Sequence, residues 1–133
     1  MRAAKDKAPK ALNEHAPGAL RTFFRVADAW ELSAKEARLL LGNPPESTYY
    51  KWKSGKVGSV SRDLLERVSY LLGIYKALQL LLPIAAAADA WVRAPNEAPL
   101  FNGRSALDVM LSGNVADLYL VRQYVDAQRS GWA

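Results

Sequence analysis

The chain has 133 residues, half of them hydrophobic, and no cysteine. That length suits one compact domain, or one and a half, and the missing thiols exclude a disulfide framework and any thiolate metal site. The formal net charge of +5 is lopsided: residues 1–60 hold 11 Lys/Arg against 6 Asp/Glu, whereas residues 61–133 hold 7 of each. A basic half joined to a neutral half points to a nucleic-acid-facing region and a second region with another task.

Met1 leads into charged residues rather than an apolar stretch, so no secretory signal is expected, and a cysteine-free chain fits a reducing cytoplasm. The apolar run "GIYKALQLLLPIAAAADAW" (73–91) is interrupted by Lys76, Gln79 and Pro83. A spanning helix needs about 20 mostly apolar residues, so no membrane association is expected.

Residues 1–16 are rich in Ala, Lys and Pro without periodicity, and read as a flexible basic tail. From Pro17, "GALRTFFRVADAW" sets Leu20, Phe23, Phe24, Ala27 and Trp30 on one helical face. "LSAKEARLLLG" predicts a helix opened by a Ser33/Glu36 capping box and stopped at Gly42. After "NPP", with Pro45 suited to a first turn, a short helix runs through "ESTYYKWKS" to Gly55.

In the next helix Leu64, Val68, Leu71, Tyr75, Leu78 and Leu82 recur at alternating steps of four and three. That heptad-like seam fits either an internal core or a dimer interface. Pro83 should end it, "IAAAADAW" reads as a further short helix, and "RAPNEAP" as a loop. In "LFNGRSALDVMLSG", Ser105 and Asp108 predict a capped short helix over 106–111, with Leu107, Met110 and Leu111 inward and Gly113 as its stop. A last helix over 115–128 carries Leu118, Val121 and Val125 on one face. No strand-like alternation occurs, so the expected fold class is all-α.

Helix, tight Gly/Pro turn and short basic helix make a helix-turn-helix. Tyr49 and Trp52, three apart, are its inward pair. Ser47, Thr48, Tyr50 and Lys51 then face outward, where hydroxyls reach bases or phosphates, and Lys51, Lys53 and Lys56 neutralise phosphates.

Catalytic constellations are missing. His15 stands alone in the tail, the acids are scattered singly, and "FNGRS" lacks the glycines and lysine of a phosphate loop. The chain is therefore expected to be no enzyme and to need no cofactor or metal.

The residues "STYYKWKSG", "LLERVSYLLGIYKAL", "FNGRSALDVMLSGN" and "VRQYVDAQRSGW" resemble the Xre-type antitoxins whose C-terminal domain is of the MbcA/ParS/Xre toxin-binding class. The resemblance covers roughly residues 17–133. It implies an Xre-like helix-turn-helix and dimerisation region at 17–82, a helical toxin-binding domain at 83–133, and a type II toxin-antitoxin system. It further implies a RES-domain toxin that depletes NAD as partner, occlusion of that toxin's active site, a homodimer, and binding to the operon's own promoter DNA.

Carried over to this chain, Asn102, Gly103, Arg104, Ser105 and Asp108, with Gly131, Trp132 and Ala133, would form the toxin-binding region. Arg104 is suited to a fork of hydrogen bonds to carboxylates of the partner's NAD pocket. Trp132 is either an aromatic anchor on the partner or a residue folded back on the last helices. Two other readings stand beside this one: a stand-alone transcriptional regulator, and a helical scaffold acting through helix contacts.

Overall fold

The computed structural model describes residues 7–130, apart from the side chain of Ser130. The chain runs α1 (Lys10–Asn13), α2 (Ala16–Ala29), α3 (Ala34–Leu40), α4 (Glu46–Lys53), α5 (Arg62–Leu81), α6 (Ala85–Trp91), α7 (Ala106–Met110) and α8 (Val115–Ala127), then a 3-10 turn, Gln128–Ser130. Among the described residues the architecture is all-α; strand-like pairing is limited to two isolated bridges, Lys7 with Ser61 and Pro95 with Ser105.

The spine is α5, whose 20 residues make a rod about 30 Å long. Ser61 starts it by accepting the Leu64 N–H at 3.0 Å, and Pro83 follows its end. Leu64, Val68, Leu71, Ile74 and Leu78 are all buried along it. Leu20, Phe23 and Val26 of α2 and Leu118, Val121 and Val125 of α8 belong to the same apolar cluster, and α5 contacts both helices and α6. Each such side chain contributes about 1.5–3 kcal/mol on leaving water.

The heptad-like seam is therefore the inside of one chain. Leu64, Val68, Leu71 and Leu78 are covered, with Tyr75 and Leu82 half-buried against them. A dimer through this seam is not available, because its apolar face is already spent on α2 and α8.

Residues 7–16 depart from the expected tail. Ala8 is buried, its N–H donates to the Val60 carbonyl at 3.1 Å, and α1 follows. The Asn13 side chain clasps both strands, donating to the Ala8 carbonyl at 2.8 Å and accepting the Val60 N–H at 2.9 Å. Periodicity could not show this, since the segment is held by backbone hydrogen bonds and one amide rather than by an apolar stripe.

Smaller boundaries also shift. Trp30 is the C-cap of α2, Pro45 is the N-cap of α4 with ψ 146°, and the last helix ends at Ala127. In α7, Val109 joins Leu107 and Met110 in the core while Leu111 stays half-exposed.

Two arginines stitch the chain across its length. Arg67, 8% exposed, donates from Nε to Asp63 at 2.7 Å and from Nη2 to the Gly113 carbonyl at 2.9 Å. Arg93, just past α6, donates from Nε to the Trp30 carbonyl at 3.0 Å and from Nη2 to Glu31 O at 2.7 Å and Glu36 Oε1 at 3.2 Å. The buried Arg67 charge costs desolvation energy that these two acceptors offset in part, its Nη1 having no partner among the described residues, whereas Arg93 is exposed and keeps contact with water.

Candidate functional site

The first candidate surface is built on α3 and α4. The capping box on α3 is complete: the Glu36 N–H donates to Ser33 Oγ at 3.1 Å and the Ser33 N–H to Glu36 Oε1 at 2.9 Å. The backbone N–H of Ser33, reinforced by Arg93, holds the Glu36 carboxyl below its usual pKa. At the other end Gly42 turns the chain at φ 90°, and the Asn43 N–H reaches back to the Arg38 carbonyl at 2.7 Å. Arg38 then closes the turn by donating from Nε and Nη2 to the Pro44 carbonyl at 3.2 and 3.0 Å. This fixes the angle at which α4 leaves.

Tyr49 is the buried foot of α4, its ring edge-on to Phe24 at 5.5 Å. Burial pushes its hydroxyl pKa up, and Tyr50 and Asp28 add to the shift. Trp52 is half-buried beside it, as the three-residue spacing predicts. Ser47, Tyr50, Lys51, Lys53 and Lys56 are exposed and Thr48 is half-exposed, so α4 presents its hydroxyls and cations outward. A cleft of about 250 Å³ between α2 and α4 brings Arg21 to the same rim as Lys53. Arg21 was not legible as part of this surface, because only the α2–α4 packing brings it there.

The second candidate surface is the segment from 92 to 108. It is a folded loop with its own bonds: the Asn96 N–H donates to Arg104 O at 3.1 Å, and the Gly103 N–H to Asn96 O at 2.8 Å. Asn96 Oδ1 also accepts the Ala98 N–H at 2.9 Å. The tip carries two consecutive left-handed residues, Asn102 at φ 52° and Gly103 at φ 89°. Asparagine and glycine are the residues that tolerate such backbone, which is why they stand together.

Beneath the tip Phe101 is fully buried. It sits edge-on to Trp91 at 5.9 Å and to Tyr124 at 5.0 Å, while Trp91 and Tyr124 stack at 6.3 Å. This aromatic anchor escaped sequence reasoning, since its members come from α6, the loop and α8, more than thirty residues apart end to end.

The residues singled out around this loop thus divide. Ser105 is buried and accepts the Asp108 N–H at 3.0 Å, while Asp108 Oδ2 accepts the Ser105 N–H at 3.4 Å, so both are occupied in capping α7. Asn102 shapes the tip and is exposed. Arg104 is exposed, and its side chain makes no hydrogen bond or ion pair with the described residues. Gly131, Trp132 and Ala133 lie outside the described residues. Among the described residues no group of three or more His, Asp or Glu could hold a metal ion, and no helix is long and apolar enough to cross a membrane.

Comparison with known proteins meets this geometry at both surfaces. Residues 12–73 match the antitoxin Xre-like helix-turn-helix domain, and residues 77–131 the antitoxin Xre/MbcA/ParS C-terminal toxin-binding domain. The two matches part company inside α5, which serves both. A curated relative, the uncharacterized protein y4oB of Sinorhizobium fredii (strain NBRC 101917 / NGR234), is 49% identical over 123 residues, 92% of this chain and 93% of its own. No solved structure matches the chain significantly. The chain belongs to the antitoxin family that joins an Xre-like helix-turn-helix domain to an Xre/MbcA/ParS C-terminal toxin-binding domain.

Proposed function

We propose that this antitoxin neutralises a RES-domain, NAD-depleting toxin by seating the loop 102–108 in the toxin's active site, with Gly131, Trp132 and Ala133 alongside. The observation that carries the reading is Arg104: a guanidinium with no partner among the described residues, on a tip braced by two left-handed residues and a buried phenylalanine. A rigid tip loses little conformational entropy on docking, and an arginine fork suits carboxylates that otherwise face substrate. Asn102 and Gly103 set the height of the tip, and Ser105 and Asp108 hold α7 behind it.

The same chain, as a homodimer, represses its own operon. In this reading α4 enters the major groove, Ser47, Thr48, Tyr50 and Lys51 meet base edges or phosphates, and Lys53 and Lys56 neutralise phosphates. Because the α5 seam is internal, the dimer uses another surface.

Co-expression with the product of the adjacent reading frame tests the first claim. Wild-type chain should co-purify with a RES-type toxin and restore growth, and Arg104→Glu should lose both while keeping its circular dichroism. Separate elution of the wild-type pair would sink the RES assignment. For DNA, Lys51→Gln/Lys53→Gln should weaken binding and lower the salt slope by roughly 0.9 for each lost phosphate contact.

A further inference from the structure

We propose that residues 7–10 and the loop 56–62 form a second DNA contact, a clamp for the phosphate backbone beside the groove that α4 enters. The inference rests on the DNA-binding reading above and adds residues 7–10, which precede the matched helix-turn-helix domain.

The geometry begins with what holds the segment. Ala8, Asn13 and Val60 are tied by the three hydrogen bonds of 2.8 to 3.1 Å described above, and Lys7 pairs with Ser61 at the start of α5. Lys7 and Lys10 thereby line, together with Gly58 and Ser59, one hollow of about 450 Å³. The loop that forms its floor leaves α4 directly, with the Lys56 N–H donating to Lys51 O at 2.8 Å. The loop is therefore tied to the C-terminal turn of α4.

Charge comes next. Lys7, Lys10, Lys56 and Arg62 are all exposed, and none makes an ion pair with the described residues. Asp63, next to Arg62 in the chain, is paired with Arg67 at 2.7 Å, and Glu66, one turn on, accepts the Tyr70 hydroxyl. Glu14 is the acid on the hollow's rim. Four exposed cations, unpaired among the described residues, raise the local positive potential and suit a polyanion.

Gly58 supplies an independent reason. Its φ is not left-handed, and a Cβ added there would meet nothing within 4 Å, so neither conformation nor packing requires glycine. A glycine lining this hollow leaves its backbone open to close approach by a phosphate oxygen. Arms that precede a reading domain and grip DNA beside the recognition helix are a known solution to docking.

Anisotropy of a fluorescein-labelled, mixed-sequence 30-base-pair duplex, titrated with the full-length chain between about 50 and 200 mM salt, tests this. Lys7→Gln/Lys10→Gln should lower the salt slope by about 1.8, as two phosphate contacts require. Gly58→Val should weaken binding severalfold with an unchanged melting temperature, since its side chain meets open space. An unaltered slope in Lys7→Gln/Lys10→Gln, while Lys51→Gln/Lys53→Gln lowers it, would overturn the clamp and leave the α4 reading standing. The reverse pattern would support the clamp and remove α4 from the interface. No binding by wild type at the lowest salt would overturn both.

Discussion

The two surfaces are made in opposite ways. On α4 the exposed groups sit on a regular helix, and their direction follows from which side chain, Tyr49, is buried. On the 92–105 loop no helix sets direction; two left-handed residues, a web of backbone bonds and an aromatic trio centred on the buried Phe101 do. A helical surface tolerates changes at its outward positions, because the backbone hydrogen bonds remain. A loop surface depends on a few interior contacts and fails when one is lost.

The strongest way to separate the two is Phe101→Ala. Removing this ring should cost about 3–5 kcal/mol. The melting temperature should fall by roughly 10 °C, at about 2–4 °C or more per kcal/mol. Hydrogen exchange should speed up at residues 96–105 while α4 amides keep their protection relative to the global unfolding limit. Equal loss in both regions would mean that the loop and α4 share one anchor.

Arg93→Met asks whether the halves are mechanically joined. The carbonyls of Trp30 and Glu31 lose the Arg93 donor, and the Glu36 carboxylate is left with the Ser33 N–H. A destabilisation of about 1–3 kcal/mol is expected in urea unfolding. Faster exchange should appear at the α3 N-terminus and at residues 92–94 together. Change confined to one side would show that the clasp is local.

The two capping boxes offer a matched pair. Ser33→Ala and Ser105→Ala should each cost about 1 kcal/mol by denaturant midpoint. Since Ser105 is buried and Ser33 exposed, the alanine at 105 should be the costlier. Equal losses would argue that α7 is no more constrained than α3.

The smallest effect is in pH. Because the Glu36 pKa is lowered in the folded chain, its contribution is complete above the ordinary value of 4.5 and is lost as pH falls through the folded value. Glu36→Gln should therefore narrow the gap in urea midpoint between neutral pH and about pH 3.5, by a few tenths of a kcal/mol. A wild-type gap no larger than that of the variant would refute the linkage.

Much of this molecule was legible before folding. Apolar spacing located the helices, Ser33/Glu36 and Ser105/Asp108 marked two of the starts, Gly42 and Gly113 the ends, and the outward lysines of α4 followed from Tyr49 and Trp52. These are local facts, set by side chains within a turn or two of one another, so sequence alone determined them. What the seam of α5 faces, why Asn102 precedes Gly103, and where residues 7–16 lie were decided only by the tertiary structure. A heptad pattern records that a face is buried and not what buries it. Arg93, Phe101 and Asn13 each reach at least one partner 23 to 63 residues away, and no local pattern encodes contacts of that reach.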